Sequence, residues 1–189
     1  MQEGLQVLAE ASSGEEAITM VATHEPDMIL MDLNMKGMDG IETVQALRQR
    51  GVTACILMVT VSDNDSDVIA ALRAGADGYL LKDLEPEDLI NALLQAERGQ
   101  LVLSPELTRI LANTLRDEDT DRTDISARLT DRERQILRMI AVGNSNELIA
   151  TKLGITEATV KVHVKNLLKK MNLRSRVEAA VWAVSNNIN

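Results

Sequence analysis

Three residue types that can handle a phosphoryl group stand at the ends of three successive apolar runs. Asp32 closes Asp27-Met28-Ile29-Leu30-Met31, Thr60 lies near the end of Ala54 to Val61, and Lys82 follows Tyr79-Leu80-Leu81. A carboxylate at such a place is a nucleophile, and an anion attached to it would meet a hydroxyl and an ammonium from the neighbouring strands. Phosphoryl transfer to a carboxylate asks for little beyond positioning and charge neutralisation, so these residues suffice in kind. Singly, each has a plainer reading: a turn-capping Asp, a β-branched strand residue and a surface Lys. Their coincidence at three successive strand ends favours the phosphoryl site. The loop after Asp32, Asn34-Met35-Lys36-Gly37-Met38-Asp39-Gly40, carries glycines that permit tight turns.

A second constellation lies near the other end. Lys161, Lys165 and Lys169 recur every four residues, while Val160, Val164, Leu167, Leu168 and Met171 form an apolar stripe on another face of the same segment, roughly Glu157 to Met171. Thr156 can cap that helix. A shorter helix precedes it, capped by Ser145 and stopped by Gly154. Before that, Thr130 and Glu133 have capping-box spacing and open a helix carrying Ile136, Leu137 and Ile140. A short helix, a tight turn and a helix with an exposed Lys row have the dimensions for entry into a DNA major groove. Lysines contact phosphates or guanine acceptors, and Val162 beside the row suits a thymine methyl. The plainer alternative is a three-helix bundle with a solvated basic face.

The elements that must position these residues alternate. Strand-length apolar runs at Leu5 to Ala11, Met28 to Leu33, Ala54 to Val61 and Tyr79 to Leu81 are each followed by a helix-period segment, about Gly14 to His24, Gly40 to Arg50, Asp65 to Ala74 and Pro86 to Glu97. Such alternation predicts a parallel sheet covered by helices on both faces, with ligands beyond the carboxyl ends of the strands. An amphipathic helix is expected from about Pro105 to Leu115. The nine residues Arg116 to Asp124 contain no apolar side chain and read as an exposed linker. Residues 1–100, 101–125 and 126–189 are therefore expected to be an α/β module, a linker with its short helix, and an all-α module.

The 189 residues are 45% apolar and 26% charged, a globular profile of one or two domains that excludes disorder and collagen-like repeats. The formal charge of −9 hides a division. Residues 1–125 hold 9 Lys and Arg against 24 Asp and Glu, whereas residues 126–189 hold 11 against 5, so a basic module follows an acidic one. A basic compact segment suggests a polyanion partner. No apolar run approaches the about 20 residues of a membrane helix, and no secretory signal is evident, so a cytoplasmic location without membrane contact is expected. His24, His163 and the single Cys55 are too dispersed for a transition-metal site or an internal disulfide. Tyr79 and Trp182 are the only aromatics, which argues against the stacking platforms of single-strand and many RNA binders.

The stretch from Asp27 to Gly40, then Thr60, then Gly75-Ala76-Asp77-Gly78-Tyr79-Leu80-Leu81-Lys82-Asp83, resembles the receiver domain of bacterial two-component response regulators. The segment Leu129 to Glu133, through Thr159-Val160-Lys161-Val162-His163-Val164-Lys165-Asn166-Leu167, to Arg174-Ser175-Arg176-Val177-Glu178-Ala179-Ala180 resembles the LuxR-type helix-turn-helix. Together they resemble the NarL/FixJ family, in its nitrate- and nitrite-responding branch. That likeness implies a flavodoxin-like, doubly wound receiver of five strands in the order 2-1-3-4-5, followed by an all-α DNA-binding domain. It implies Asp32 as phosphoacceptor, loaded by a sensor histidine kinase and helped by Mg²⁺ held partly on the Asn34 backbone carbonyl. Thr60 and Lys82 would bind the phosphoryl group, and Tyr79 would swing inward with Thr60. Lys161, Val162, Lys165 and Lys169 would meet double-stranded DNA, and a last helix from Ser175 to Val184 would form a homodimer face.

One departure touches the switch. Leu5 to Ala11 corresponds to the second strand of the family pattern, so the first strand, its terminal acidic pair and the first helix are not found in these residues, and Mg²⁺ binding is expected to be weak. In the DNA-binding part, Glu147 stands where a basic residue is common, which disfavours a nearby phosphate. Other function classes remain: a DNA binder that ignores phosphorylation, an adaptor without a DNA role, or an Asp-nucleophile phosphohydrolase. The last would need a second acid two residues after Asp32, where Asn34 stands.

Overall fold

The computed structural model describes residues 5–61, 64–100, 129–186 and 188. The expected helix at Pro105 to Leu115 and the linker lie outside the described residues. The order is α1 (Gly14–His24), β1 (Met28–Met31), α2 (Gly40–Gln49), β2 (Cys55–Thr60), α3 (Asp65–Ala74), β3 (Gly78–Leu81), α4 (Pro86–Glu97), then α5 (Asp131–Ala141), α6 (Asn146–Leu153), α7 (Glu157–Met171) and α8 (Arg176–Ser185).

Helix starts follow local chemistry. Asp39 caps α2 and Thr130 caps α5, each in a reciprocal capping box with the Glu three residues on, Glu42 and Glu133. Ser13, Ser145, Thr156 and Ser175 each accept a bond from a backbone N–H of the first turn they precede, and Pro86 opens α4. Gly154 ends α6 in the left-handed conformation anticipated for it.

The three strands form one parallel sheet in the order β1-β2-β3, with Met31 opposite Met58 and Thr60 opposite Leu81. Side chains of β2 alternate between two cores. Ile56 and Met58 pack with Val44 and Leu47 of α2 and Val68, Ala71 and Leu72 of α3, whereas Leu57 joins Leu80 and, from α4, Leu93 and Ala96. Both faces of the sheet are therefore covered, as the continuous apolar run of β2 requires.

The strand expected at Leu5 to Ala11 is not formed. That segment has no ladder partner among the described residues, and Val7 and Leu8 lie exposed at 77% and 50%. Strand structure needs a neighbour for its backbone N–H and C=O groups, and an apolar sequence alone does not supply one. The sheet of these residues accordingly has three strands rather than the four predicted here.

The C-terminal helices pack around Ile136, Ile140, Ile149 and Val160 on one side and Leu137, Leu167, Met171 and Trp182 on the other. No helix among the described residues is long and apolar enough to cross a membrane.

Candidate phosphoryl site and nucleic-acid interface

The register of the sheet brings two of the three strand-end residues into direct contact. Lys82 Nζ donates to Asp32 Oδ2 at 2.6 Å, across 50 residues of sequence. Both side chains are about one-third to two-fifths exposed, so the carboxylate is accessible to solvent-borne reactants. Asp32 Oδ1 accepts from the Asn34 backbone N–H at 3.3 Å, which turns the loop away from the strand. Gly40 makes this geometry possible: a Cβ there would fall 2.1 Å from the Asp32 carbonyl oxygen, and its N–H donates to Leu33 O at 3.0 Å. Any side chain at position 40 would push α2 off the end of β1. Thr60 is fully buried at the end of β2, and its carbonyl accepts from the Lys82 N–H at 2.7 Å, so hydroxyl-bearing and ammonium-bearing residues share one rung. Tyr79 is half-buried in the middle of β3.

On α7, Val160, Leu167 and Met171 are buried, while Lys161, Lys165 and Lys169 are exposed along one side and Val162 is 57% exposed. The three lysines do not face open solvent alone. They line a cleft of about 1320 Å³ whose other wall is the sheet module, and Lys161 Nζ lies 3.4 Å from Asp27 Oδ1.

The modules also touch through groups that composition and spacing did not single out. Val177 and Val181 of α8 are buried among Ile56, Leu72, Ala74 and Ala76 of the sheet module. Asp77, just before β3, accepts at Oδ2 from Arg48 (2.6 Å) and the Ile56 N–H (3.0 Å), and at Oδ1 from the Arg176 N–H in the first turn of α8 (3.3 Å). A carboxylate facing a helix N-terminus is favoured by the exposed N–H groups there. The Arg176 guanidinium turns back to Asn146 Oδ1 and the Asn144 carbonyl, and Arg174 donates to the Arg73 carbonyl. Burial pulls the Arg176 guanidinium down to about 10, with Asp77 working against that shift, so it remains a cation at neutral pH. Burial likewise pushes the Cys55 thiol up, and the Asp77 charge adds to it. Gly75 sits at this seam with φ +110°, and a Cβ on it would approach Arg48 Cγ to 2.8 Å and Arg174 Cβ to 3.1 Å.

Residues 1–94 match the response regulator receiver domain family, and residues 127–183 match the luxR family of bacterial regulatory proteins. The nitrate/nitrite response regulator protein NarL of Escherichia coli (strain K12) is 53% identical over 183 residues, covering 96% of this chain and 84% of that protein. The chain is a response regulator of the NarL/FixJ family. The NarP protein of the same organism is 47% identical over 96% of the chain and 83% of its own length. A crystal structure of a LuxR-family two-component response regulator from Aurantimonas sp. SI85-9A1 has 32% identity and a TM-score of 0.53, covering 60% of this chain and 81% of that one.

The family is one of DNA-binding transcription regulators, so the regulator carries a receiver with a parallel sheet followed by a helical LuxR-type DNA-binding domain. Receivers of this family bind Mg²⁺ for phosphorylation. Among the described residues no group of three or more His, Cys, Asp and Glu side chains converges on a cation position, and the Lys82 ammonium already occupies one oxygen of Asp32. These residues do not by themselves assemble a divalent-cation site.

Proposed function

We propose that this regulator reads double-stranded DNA with Lys161, Val162, Lys165 and Lys169 and receives a phosphoryl group from a sensor histidine kinase on Asp32. Residues 1–100 act as the receiver, 101–125 as the linker and 126–189 as the reader. Lys82 and Thr60 hold the phosphoryl oxygens, and Tyr79 follows Thr60 as the switch. The observation that carries this reading is the 2.6 Å Lys82–Asp32 pair just beyond the carboxyl ends of β1 and β3, the strands that flank β2, in a chain whose basic helix faces the same module. Phosphorylation exchanges one negative charge on Asp32 for about two and adds acceptor oxygens, which reorganises the Lys82 contact.

The similarity to NarL and NarP supports nitrate or nitrite as the upstream signal. The α8 helix serves as the homodimer face on DNA once it leaves the receiver, which at present buries Val177 and Val181. The closed arrangement withholds both the lysine row and α8. Mg²⁺ is the cation this chemistry calls for, but these 189 residues bind it weakly, because the described residues offer no converging carboxylates. The same observation favours a second reading, in which DNA binding proceeds without phosphorylation. Duplex binding measured before and after treatment with a small-molecule phosphodonor separates the two. A rise on treatment that Asp32→Asn removes supports the phosphorelay, whereas equal binding in all samples supports the second reading.

A further inference from the structure

The cleft between the modules joins the reader's lysine row to cations of the receiver that neither phosphorylation nor duplex binding uses. Its walls carry eight Lys and Arg side chains against five Asp and Glu. Of the carboxylates, Asp77 pairs with Arg48, Asp27 with Lys161, and Glu178 accepts from the Arg174 N–H, while Glu25 and Glu97 have no ion pair among the described residues. Among the described residues Lys165 and Lys169 have no ion-pair or hydrogen-bond partner, and Arg50 donates only to the Ala46 carbonyl of its own helix. Arg50 belongs to the receiver and the lysines to the reader, so both modules contribute unpaired cations to the lining of one cleft. Like charges lining a concave low-dielectric surface focus a field that a mobile counter-charge relieves.

We infer that this cleft is a binding site for a compact polyphosphate anion, a chain of linked phosphates that bridges Arg50 to Lys165 and Lys169. A duplex is too wide for it, whereas a volume of about 1320 Å³ accommodates a small flexible anion. No aromatic side chain lines it, so nothing stacks on a nucleobase, and the phosphates alone are recognised. Because its contacts come from both modules, the anion binds the closed arrangement and not the open one; it stabilises the first and depletes the second, to which DNA binds.

The test uses the full chain and inorganic tripolyphosphate, with ATP as the second arm. Binding by calorimetry and a rise in melting temperature are expected with tripolyphosphate, with ATP equal to it within a few-fold. Arg50→Gln and Lys169→Gln should each weaken tripolyphosphate binding about tenfold, as removal of one charge-assisted contact does. Lys152→Gln, on the exposed side of α6, should leave it unchanged. Tripolyphosphate should also inhibit duplex binding by the wild-type chain and lose that effect in Arg50→Gln. Tripolyphosphate binding that survives Arg50→Gln intact would place the anion on the lysine row alone and overturn the inference. ATP binding more than tenfold tighter than tripolyphosphate would overturn it too, since a base would then be recognised. The calorimetric and melting readouts need no DNA, so they stand apart from the outcome for the proposed DNA-binding role.

Discussion

Replacing Val177 and Val181 together by Ala loosens the closed arrangement without touching any group proposed to meet DNA. Both side chains are essentially inaccessible, at 0% and 1% exposure, and both sit in the core of the receiver rather than that of the reader. Each change removes two buried methyl-sized groups at about 0.8 kcal/mol apiece, so the pair weakens docking by roughly 3 kcal/mol. At 1.4 kcal/mol per decade that is about a hundredfold in the docking constant. If the docked form dominates, apparent duplex affinity rises by up to the same factor, until the open form is fully populated. The assay is fluorescence anisotropy on a duplex about one helical turn long, which a single reader occupies, so dimerisation does not enter. Val184→Ala, at a position 52% exposed on the same helix, is the control and should change nothing. Unchanged duplex affinity in the double variant, with circular dichroism and Trp182 fluorescence showing an intact reader, would refute the claim that docking conceals the lysine row.

Lys161→Ala and Lys165→Ala should each reduce the slope of log affinity against log salt by about 0.9, and together abolish duplex binding; an unchanged slope would remove these lysines from the phosphate contacts. Incubation of the 189-residue polypeptide with Mg²⁺ and a small phosphodonor should give only a minor fraction of the mass shift of about 80 Da, and complete conversion at Asp32 would refute the reading of its cation site. Burial acts to raise the Glu133 carboxyl, but the Lys170 ammonium at 2.7 Å and the Thr130 N–H and hydroxyl outweigh it and hold the pKa below the ordinary value. Its contribution to stability is therefore present above the unfolded value of about 4.3 and lost as pH falls through the lower folded one. Glu133→Gln should accordingly show a smaller fall in melting temperature between pH 7 and pH 3 than the wild type, and an equal fall would contradict this.

What the sequence disclosed and what it concealed divide along the range of the interactions. Caps are local, and Thr130, Ser145, Thr156 and Gly154 announce their helices because each needs only neighbours within a turn. Strand ends follow from apolar runs, so Asp32, Thr60 and Lys82 were identifiable before any contact between them was known. Leu5 to Ala11 misled because β-structure is completed by a partner, and no property of the seven residues reveals whether one is alongside. The seam between modules was concealed for the same reason. Arg48 reads as a charge in the last turn of an amphipathic helix, yet its guanidinium ties together the carbonyls of Val52, Ala54 and Gly75 and the carboxylate of Asp77. Val177 and Val181 share their helix with the buried Trp182, and periodicity marks them only as apolar. Which module they enter is set by the fold of another segment a hundred residues away.

That seam and the proposed phosphoryl site are connected by a single short strand. Asp77 immediately precedes β3 and holds Arg176 of α8; Lys82 immediately follows it and holds Asp32. Both ends are fixed to β2 by short ladder bonds, Asp77 N–H to Ile56 O and Lys82 N–H to Thr60 O, each 2.7 Å. Five residue steps at about 3.3 Å separate the two contacts, roughly 17 Å along a strand with little freedom to stretch. A change at Lys82 therefore has a direct mechanical route to the α8 seat, and docking against release is the two-state equilibrium on which it acts. The expectation is non-additivity. In a double-mutant cycle of Lys82→Ala and Asp77→Asn, read as duplex affinity of the full chain, the coupling should exceed about 0.5 kcal/mol, although the side chains do not touch. Independent sites at this distance add to within about 0.3–0.5 kcal/mol, so additivity would mean that β3 transmits nothing and that release is decided elsewhere in the receiver.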